Sequence, residues 1–263
     1  VTGLRLALTL LSVLPAGGSP AESGAGPPDR SLVGRAICWA PLVGALLGTL
    51  AGVIGAVALR LGAPGPVAGF LVVSSLAGLS RGLHLDGLAD TADGFGVYAR
   101  GRERALEAMR SPGTGAFAVI AVVLAIGLQA TAASAVLAGH GWSAVPAVAT
   151  AVAIGRFAAT AACVRGVPPA RQDGLGALAA GTVPVPALVV VGLVLAAGAT
   201  GAGLTAAPAR PWLGPAAVVA GLLVTALVVR RSVVRFGGIT GDVLGAAVEL
   251  TTATALVVLT ATG

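Results

Sequence analysis

Lysine is absent from this sequence of 263 residues, and charge of either sign is scarce. Only 10% of residues are charged, against roughly 25% in a soluble domain. Aromatic residues reach 3%, and there are two cysteines. So little charge excludes a soluble globular enzyme and a solvated disordered tail. Two cysteines exclude a disulfide scaffold. Cys38 and Cys163 both fall in apolar stretches with no CxxC or Cys/His partner nearby, and read as small buried hydrophobes. The basic balance comes from 16 arginines against 10 carboxylates, a net charge of +6. Without a soluble basic domain or interleaved aromatics, that excess reads as membrane topology, and no nucleic-acid partner is expected.

What is abundant is apolar. Hydrophobic residues make up 56% of the chain, mean hydropathy is +0.97, and 40 glycines sit inside the apolar runs as well as between them. A spanning helix needs about 20 mostly apolar residues. Seven segments qualify, at 36–59, 66–83, 115–138, 143–164, 184–205, 214–230 and 242–262. The expected fold is therefore all-α, a polytopic integral membrane bundle of six or seven transmembrane helices. The whole of 1–263 reads as one membrane domain. The apolar start 4–14 is too short to span and has the make-up of a signal-peptide core. With a multi-span body behind it, an interfacial or re-entrant helix is the preferred reading. Gly44, Gly48 and Gly52 form a double GxxxG, a pattern that lets helix backbones approach closely.

Arginines orient the bundle. With the N-terminus inside, Arg5, Arg30, Arg35, Arg81, Arg100, Arg102, Arg104, Arg110, Arg165, Arg171, Arg230, Arg231 and Arg235 fall on the cytoplasmic face. Only Arg60 and Arg210 fall outside, and Arg156 lies within a span. The acids share that face, apart from Glu249, which is also within a span. Acids do little to set topology, so their gathering there points to chemistry. The polar cytoplasmic segments include 15–35, Gly/Pro/Ser-rich and expected to be flexible, and 84–114, the expected active-site segment.

The densest polar stretch runs Arg81-Gly82-Leu83-His84-Leu85-Asp86-Gly87-Leu88-Ala89-Asp90-Thr91-Ala92-Asp93-Gly94. Asp86, Asp90 and Asp93 stand at i, i+4 and i+7, on one face of a helix. Three carboxylates so placed repel one another, and a divalent cation removes the conflict. Mg²⁺ takes hard oxygen ligands and keeps positions for water or phosphate. The bland alternative is a solvated acidic face paired with arginines. His84 is two residues before Asp86, as a base, a phosphate hydrogen-bond donor or a structural group. Arg100, Arg102, Arg104 and Arg110 follow, with guanidinium forks suited to phosphate; topology and pairing with Glu103 and Glu107 compete for them. Arg156 is costly within a span and is expected to face the interior, with Glu249 as a structural partner or a phosphate as a ligand. Gly237-Gly238-Ile239-Thr240-Gly241-Asp242 is a glycine-rich turn into the last span. Its helix N-terminus offers N–H groups to a phosphate, and Asp242 is a metal ligand, a base or a plain cap.

The run His84 to Gly94 resembles the signature of the adenosylcobinamide-GDP ribazoletransferases, the cobalamin synthase family. The likeness continues through Arg104-Ala105-Leu106-Glu107-Ala108-Met109-Arg110, Gly115-Ala116-Phe117, Gly155-Arg156-Phe157, Gly174-Leu175-Gly176 and Gly238 to Ala246, in order along most of the chain. Two departures stand out: Ser111-Pro112-Gly113-Thr114 where the family is often basic, and Thr251-Thr252-Ala253 where it commonly has a second acid. The resemblance implies a Mg²⁺-dependent enzyme of the cytoplasmic membrane with its active site on the cytoplasmic face. Its substrates would be adenosylcobinamide-GDP and α-ribazole or its 5′-phosphate, its product adenosylcobalamin or its phosphate, and its leaving group GMP. Asp86, Asp90 and Asp93 would hold the metal. His84 or Asp242 would take the acceptor's proton, and Arg81, Arg104, Arg110, Arg156 and Thr240 would bind substrate. The lipid bilayer is the other partner, with a homo-oligomer left open. Other membrane diphosphate chemistries fit less well. The CDP-alcohol phosphotransferase pattern needs Arg where Asp90 stands, and a UbiA-like enzyme needs a second DxxxD. A transporter would use charges within spans on broken, repeated helices, and only Arg156 and Glu249 are so placed.

Overall fold

The computed structural model describes residues 2–15, 28–206 and 210–262. Twelve α-helices make up the described chain. In order they are α1 (Gly3–Leu11), α2 (Arg30–Cys38), α3 (Ala40–Arg60), α4 (Gly65–Leu79), α5 (Leu83–Gly96), α6 (Arg102–Ala108), α7 (Ala116–His140), α8 (Val145–Ala162), α9 (Gly174–Ala179), α10 (Val185–Ala206), α11 (Leu213–Phe236) and α12 (Gly241–Leu259). Extended pairing among the described residues is limited to two isolated bridges, Val164 with Val183 and Pro169 with Ile239.

Among the described residues, six helices are long and apolar enough to cross a membrane: α3, α7, α8 with its 3₁₀ lead-in, α10, α11 and α12. The seventh expected span, 66–83, is not one straight helix. It is α4, which stops at Leu79, and α5, which leaves at 92° to it. The corner is made by Arg81 at φ 57° and Gly82 at φ 69°. Left-handed residues cannot continue a right-handed helix. The pair is either one broken span, a seventh crossing of the multi-pass bundle, or a re-entrant loop. Part of 15–35 also differs from expectation. Residues 16–27 lie outside the described residues, but Arg30 onward is helix α2, tied down by Arg30 donating to the carbonyls of Ala177 and Ala180.

Small residues set the packing at the centre. In α3, Gly44, Gly48 and Gly52 face α8, and a Cβ on Gly48 would sit 2.8 Å from the Cα of Ala149. Lipid tails provide no hydrophobic drive between helices, so such close backbone contact supplies the attraction. On its other side α8 packs on α12, where Gly155 meets the Thr252 hydroxyl group. Thr251 reaches Thr225 of α11 at 3.1 Å, hydroxyl to hydroxyl. The two threonines that replace a second acid are therefore used in helix–helix contacts.

The short α1 is too brief to span. It packs on α2 and on the α4–α5 corner: Val13 N–H donates to Leu79 at 2.8 Å, and Arg81 Nη2 donates to the Thr9 carbonyl at 3.1 Å.

Candidate functional site

Two helices from opposite ends of the sequence build the site. α5 runs antiparallel to the start of α12, and glycines fix the crossing. A Cβ on Gly87 would sit 2.7 Å from the carbonyl oxygen of Asp242, and one on Gly245 would sit 3.0 Å from that of His84. Asp86 and Asp90 are thereby held across from Asp242. The turn before α12 is pinned from a third side. Ile239 N–H donates to Pro168 at 3.0 Å, Ala170 N–H donates to Ile239 at 2.9 Å, and Gly176 of α9 packs against Thr240. Thr240 caps α12, accepting from Val243 N–H at 3.2 Å and donating to Asp242 at 3.1 Å.

A cavity of about 250 Å³ opens there, lined on its polar side by His84, Asp86, Arg171, Thr240 and Asp242. His84 is buried, and its Nδ1 has no protein partner. Arg171 forms a long ion pair with Asp242, 3.9 Å, and donates to the Leu106 carbonyl at 2.6 Å. Sequence reasoning counted Arg171 only towards topology. Its position beside the Gly174-Leu175-Gly176 match was the available signal.

Carboxylates crowd at Asp90 of α5: those of Asp242, Asp86 and Asp93 all act on its charge, against a smaller opposing pull from Arg171. Hard oxygen donors that repel one another fit a divalent cation, which would relieve the repulsion. Among the described residues, though, no three acidic, histidine or cysteine side chains already converge at ligand distance. Asp93 has other engagements. Its oxygens accept from Gly115 N–H at 2.6 Å and Ala118 N–H at 2.9 Å, capping α7 from a different helix. Gly115 is glycine for space: a Cβ there would overlap that carboxylate.

The arginines assigned to substrate are spread out. Arg81 holds α1 at the corner. Arg104 pairs with Glu107 at 3.4 Å on an exposed face. Arg110 pairs with Asp173 at 2.5 Å and, with Arg171, lines a second, open groove. Arg156 is buried behind the cavity and lines a separate void of about 10 Å³ with Gln129 and Glu249. The expected ion pair of Arg156 with Glu249 is not formed. Gln129 of α7 reaches Glu249 first, donating at 2.7 Å, and Arg156 Nε is left without a partner. A larger open groove of about 890 Å³ lies between the end of α5 and α11, beside Tyr98, Arg231 and Arg235, and carries no carboxylate.

A multi-pass helical bundle with carboxylates, a histidine and an arginine gathered at one end is the form of a membrane-embedded transferase. The comparisons make the class specific. The family model for cobalamin-5-phosphate synthase matches residues 3–260. The chain is 44% identical over 269 residues to an adenosylcobinamide-GDP ribazoletransferase of Frankia casuarinae, covering 98% of this chain and 94% of that one. It is 41% identical over 229 residues to the ribazoletransferase of a Nocardioides species, covering 87% of each. It is 36% identical over 248 residues to that of Bradyrhizobium diazoefficiens, covering 94% of this chain and 88% of that one. The chain belongs to the cobalamin-5-phosphate synthase family. No solved structure matches it.

Proposed function

We propose that this chain is an adenosylcobinamide-GDP ribazoletransferase, acting as one integral membrane domain with its site on the cytoplasmic face. The observation that carries the reading is the convergence of α5 and α12. Helices some 150 residues apart bring His84, Asp86 and Asp242 to one cavity, with Asp90 one turn further along α5, in a chain that matches the family along its length.

In this reaction a ribazole hydroxyl oxygen attacks the cobinamide-side phosphorus of the diphosphate. A new P–O bond forms, the bond from that phosphorus to the bridging oxygen breaks, and GMP leaves with its electron pair. The hydroxyl proton passes to His84 or Asp242, both of which line the cavity. Arg171 holds phosphate oxygens from the side of Asp242, with Arg110 in the second groove that Arg171 also lines and the N-terminus of α12 at Thr240 offering N–H groups. Asp86 and Asp90 would hold Mg²⁺, with Asp242 of the facing helix as a further oxygen donor, while Asp93 fixes α7 beside them. When bound, the ion supplies neutralisation of the diphosphate and of the departing GMP. Arg81, Arg104 and Arg156 act by holding structure around this centre rather than by touching phosphate.

The test is GMP release by purified protein in liposomes given adenosylcobinamide-GDP and α-ribazole or its 5′-phosphate, with Mg²⁺ or EDTA. GMP and a cobalamin product that need both Mg²⁺ and Asp90 are the expected result. Activity retained in Asp90→Ala would overturn the metal assignment, and no product from folded protein would overturn the transfer reaction.

A further inference from the structure

The cavity has a mixed lining. Beside Asp86, Arg171 and Asp242 it has an apolar wall, built from Ala7, Leu10 and Leu11 of α1, Ile37 of α2, Ala159 of α8 and Val248 of α12. The wall is held in place. Arg81 donates to the carbonyls of Thr9 and Leu10, and Val13 is bonded to Leu79, so α1 is tied to the corner from which α5 departs. Wall and carboxylates therefore keep a fixed relation.

Resting on the transferase reading above, we infer that α1 is the specificity wall of the acceptor: Leu10, Leu11 and Ile37 take the aromatic base of α-ribazole while its ribose faces Asp86 and Asp242. Size and polarity select this occupant. A corrinoid macrocycle does not enter about 250 Å³. Guanine carries donors and acceptors around its edge, and an apolar wall leaves them unpaired, which disfavours its burial there. A dimethylbenzimidazole offers a flat carbon face and two methyl groups instead. It is the apolar-edged component of the reaction, and burying it against leucine and isoleucine side chains follows the usual make-up of small-molecule sites, an apolar lining with a few polar groups at one end. Discrimination would then arise as it does for any apolar pocket. A polar-edged base is rejected because its hydrogen-bonding groups find no partner.

The test uses full-length protein in liposomes, with adenosylcobinamide-GDP saturating and two acceptors compared: α-ribazole and the matching adenine α-riboside. Leu10→Gln is expected to raise KM for α-ribazole at least tenfold. It should leave KM for adenosylcobinamide-GDP within twofold and shrink the preference for α-ribazole over the adenine riboside by a similar factor. Leu11→Gln should repeat the pattern and Leu10→Met should restore the wild-type values. A rise confined to KM for adenosylcobinamide-GDP would overturn the inference by giving the wall to the donor. An unchanged preference ratio would overturn it too. If the intact protein releases no GMP with any acceptor, the transferase reading fails and the wall is judged by direct binding. α-Ribazole binding followed by its own fluorescence should weaken at least tenfold in Leu10→Gln, and equal binding in both proteins would overturn the inference.

Discussion

At the scale of the residue, three aspartates on one helix face have different surroundings. The i, i+4, i+7 pattern was legible as a shared helix face. That Asp93 would meet the N-terminus of α7 was not, because the partner groups are backbone N–H at Gly115 and Ala118, which carry no side-chain signal. Asp93→Asn is therefore expected to act on stability, losing about 1 kcal/mol as a helix cap does, while Mg²⁺-dependent activity survives. Asp86→Asn and Asp90→Asn are expected to lower kcat on the order of 100-fold, the scale for removing a group that stabilises developing charge. Comparing urea unfolding with GMP release in the three variants checks this, and an Asp93→Asn protein that is stable but inactive would return Asp93 to the metal. Asp90→Asn carries a second expectation. Its carboxylate stands among those of Asp242, Asp86 and Asp93. Like charges so placed oppose one another when no cation lies among them. Removing the charge should raise Tm in EDTA by a few degrees even as activity is lost, and a lower Tm would contradict the crowding.

At the scale of the element, the proposed site rests on how closely α5 and α12 cross. Gly87 and Gly245 occupy facing positions with backbone where a side chain would be. Gly87→Val should cost about 1–3 kcal/mol by overpacking, and should lower kcat tenfold or more by moving Asp86 and Asp90 away from Asp242. Gly48→Ala at the crossing of α3 with α8 is the control, expected to lower Tm while leaving kcat within twofold. Equal kcat losses in both would mean general loosening instead. The long apolar elements were legible because six of them are regular enough for hydropathy to delimit. The break between α4 and α5 was hidden because Leu79, Leu83 and Leu85 keep the run apolar across the corner, and Arg81 takes a left-handed conformation that its identity does not advertise. The meeting of residues 168–170 with 238–240 was hidden for another reason: backbone hydrogen bonds between two loops leave no periodicity. It is this contact that brings Arg171 to Asp242.

At the scale of the whole molecule, the bent α4–α5 pair decides which way the site faces. Counted as one crossing, it makes seven spans, so the ends of the chain lie on opposite sides of the membrane. The loops then alternate so that Arg104 and the α5–α6 segment share a side, and Arg60 and Arg210 lie on the other. With the excess of arginine on the first side, the positive-inside rule predicts that this side is cytoplasmic. If α4 and α5 instead formed a re-entrant loop, six spans would remain, and every element after the corner would reverse relative to α3. Arg60 and Arg210 would then fall on opposite faces. Single cysteines separate the two arrangements. Arg60→Cys, Arg104→Cys and Arg210→Cys all lie at exposed positions, and are placed in a background where Cys38 and Cys163 are alanine. In intact spheroplasts an impermeant maleimide should label positions 60 and 210, and position 104 only after the membrane is opened. Labelling of 60 and 104 together before permeabilisation would show the re-entrant arrangement, and would move the carboxylates of α5 and α12 to the outer face, away from nucleotide-activated substrates.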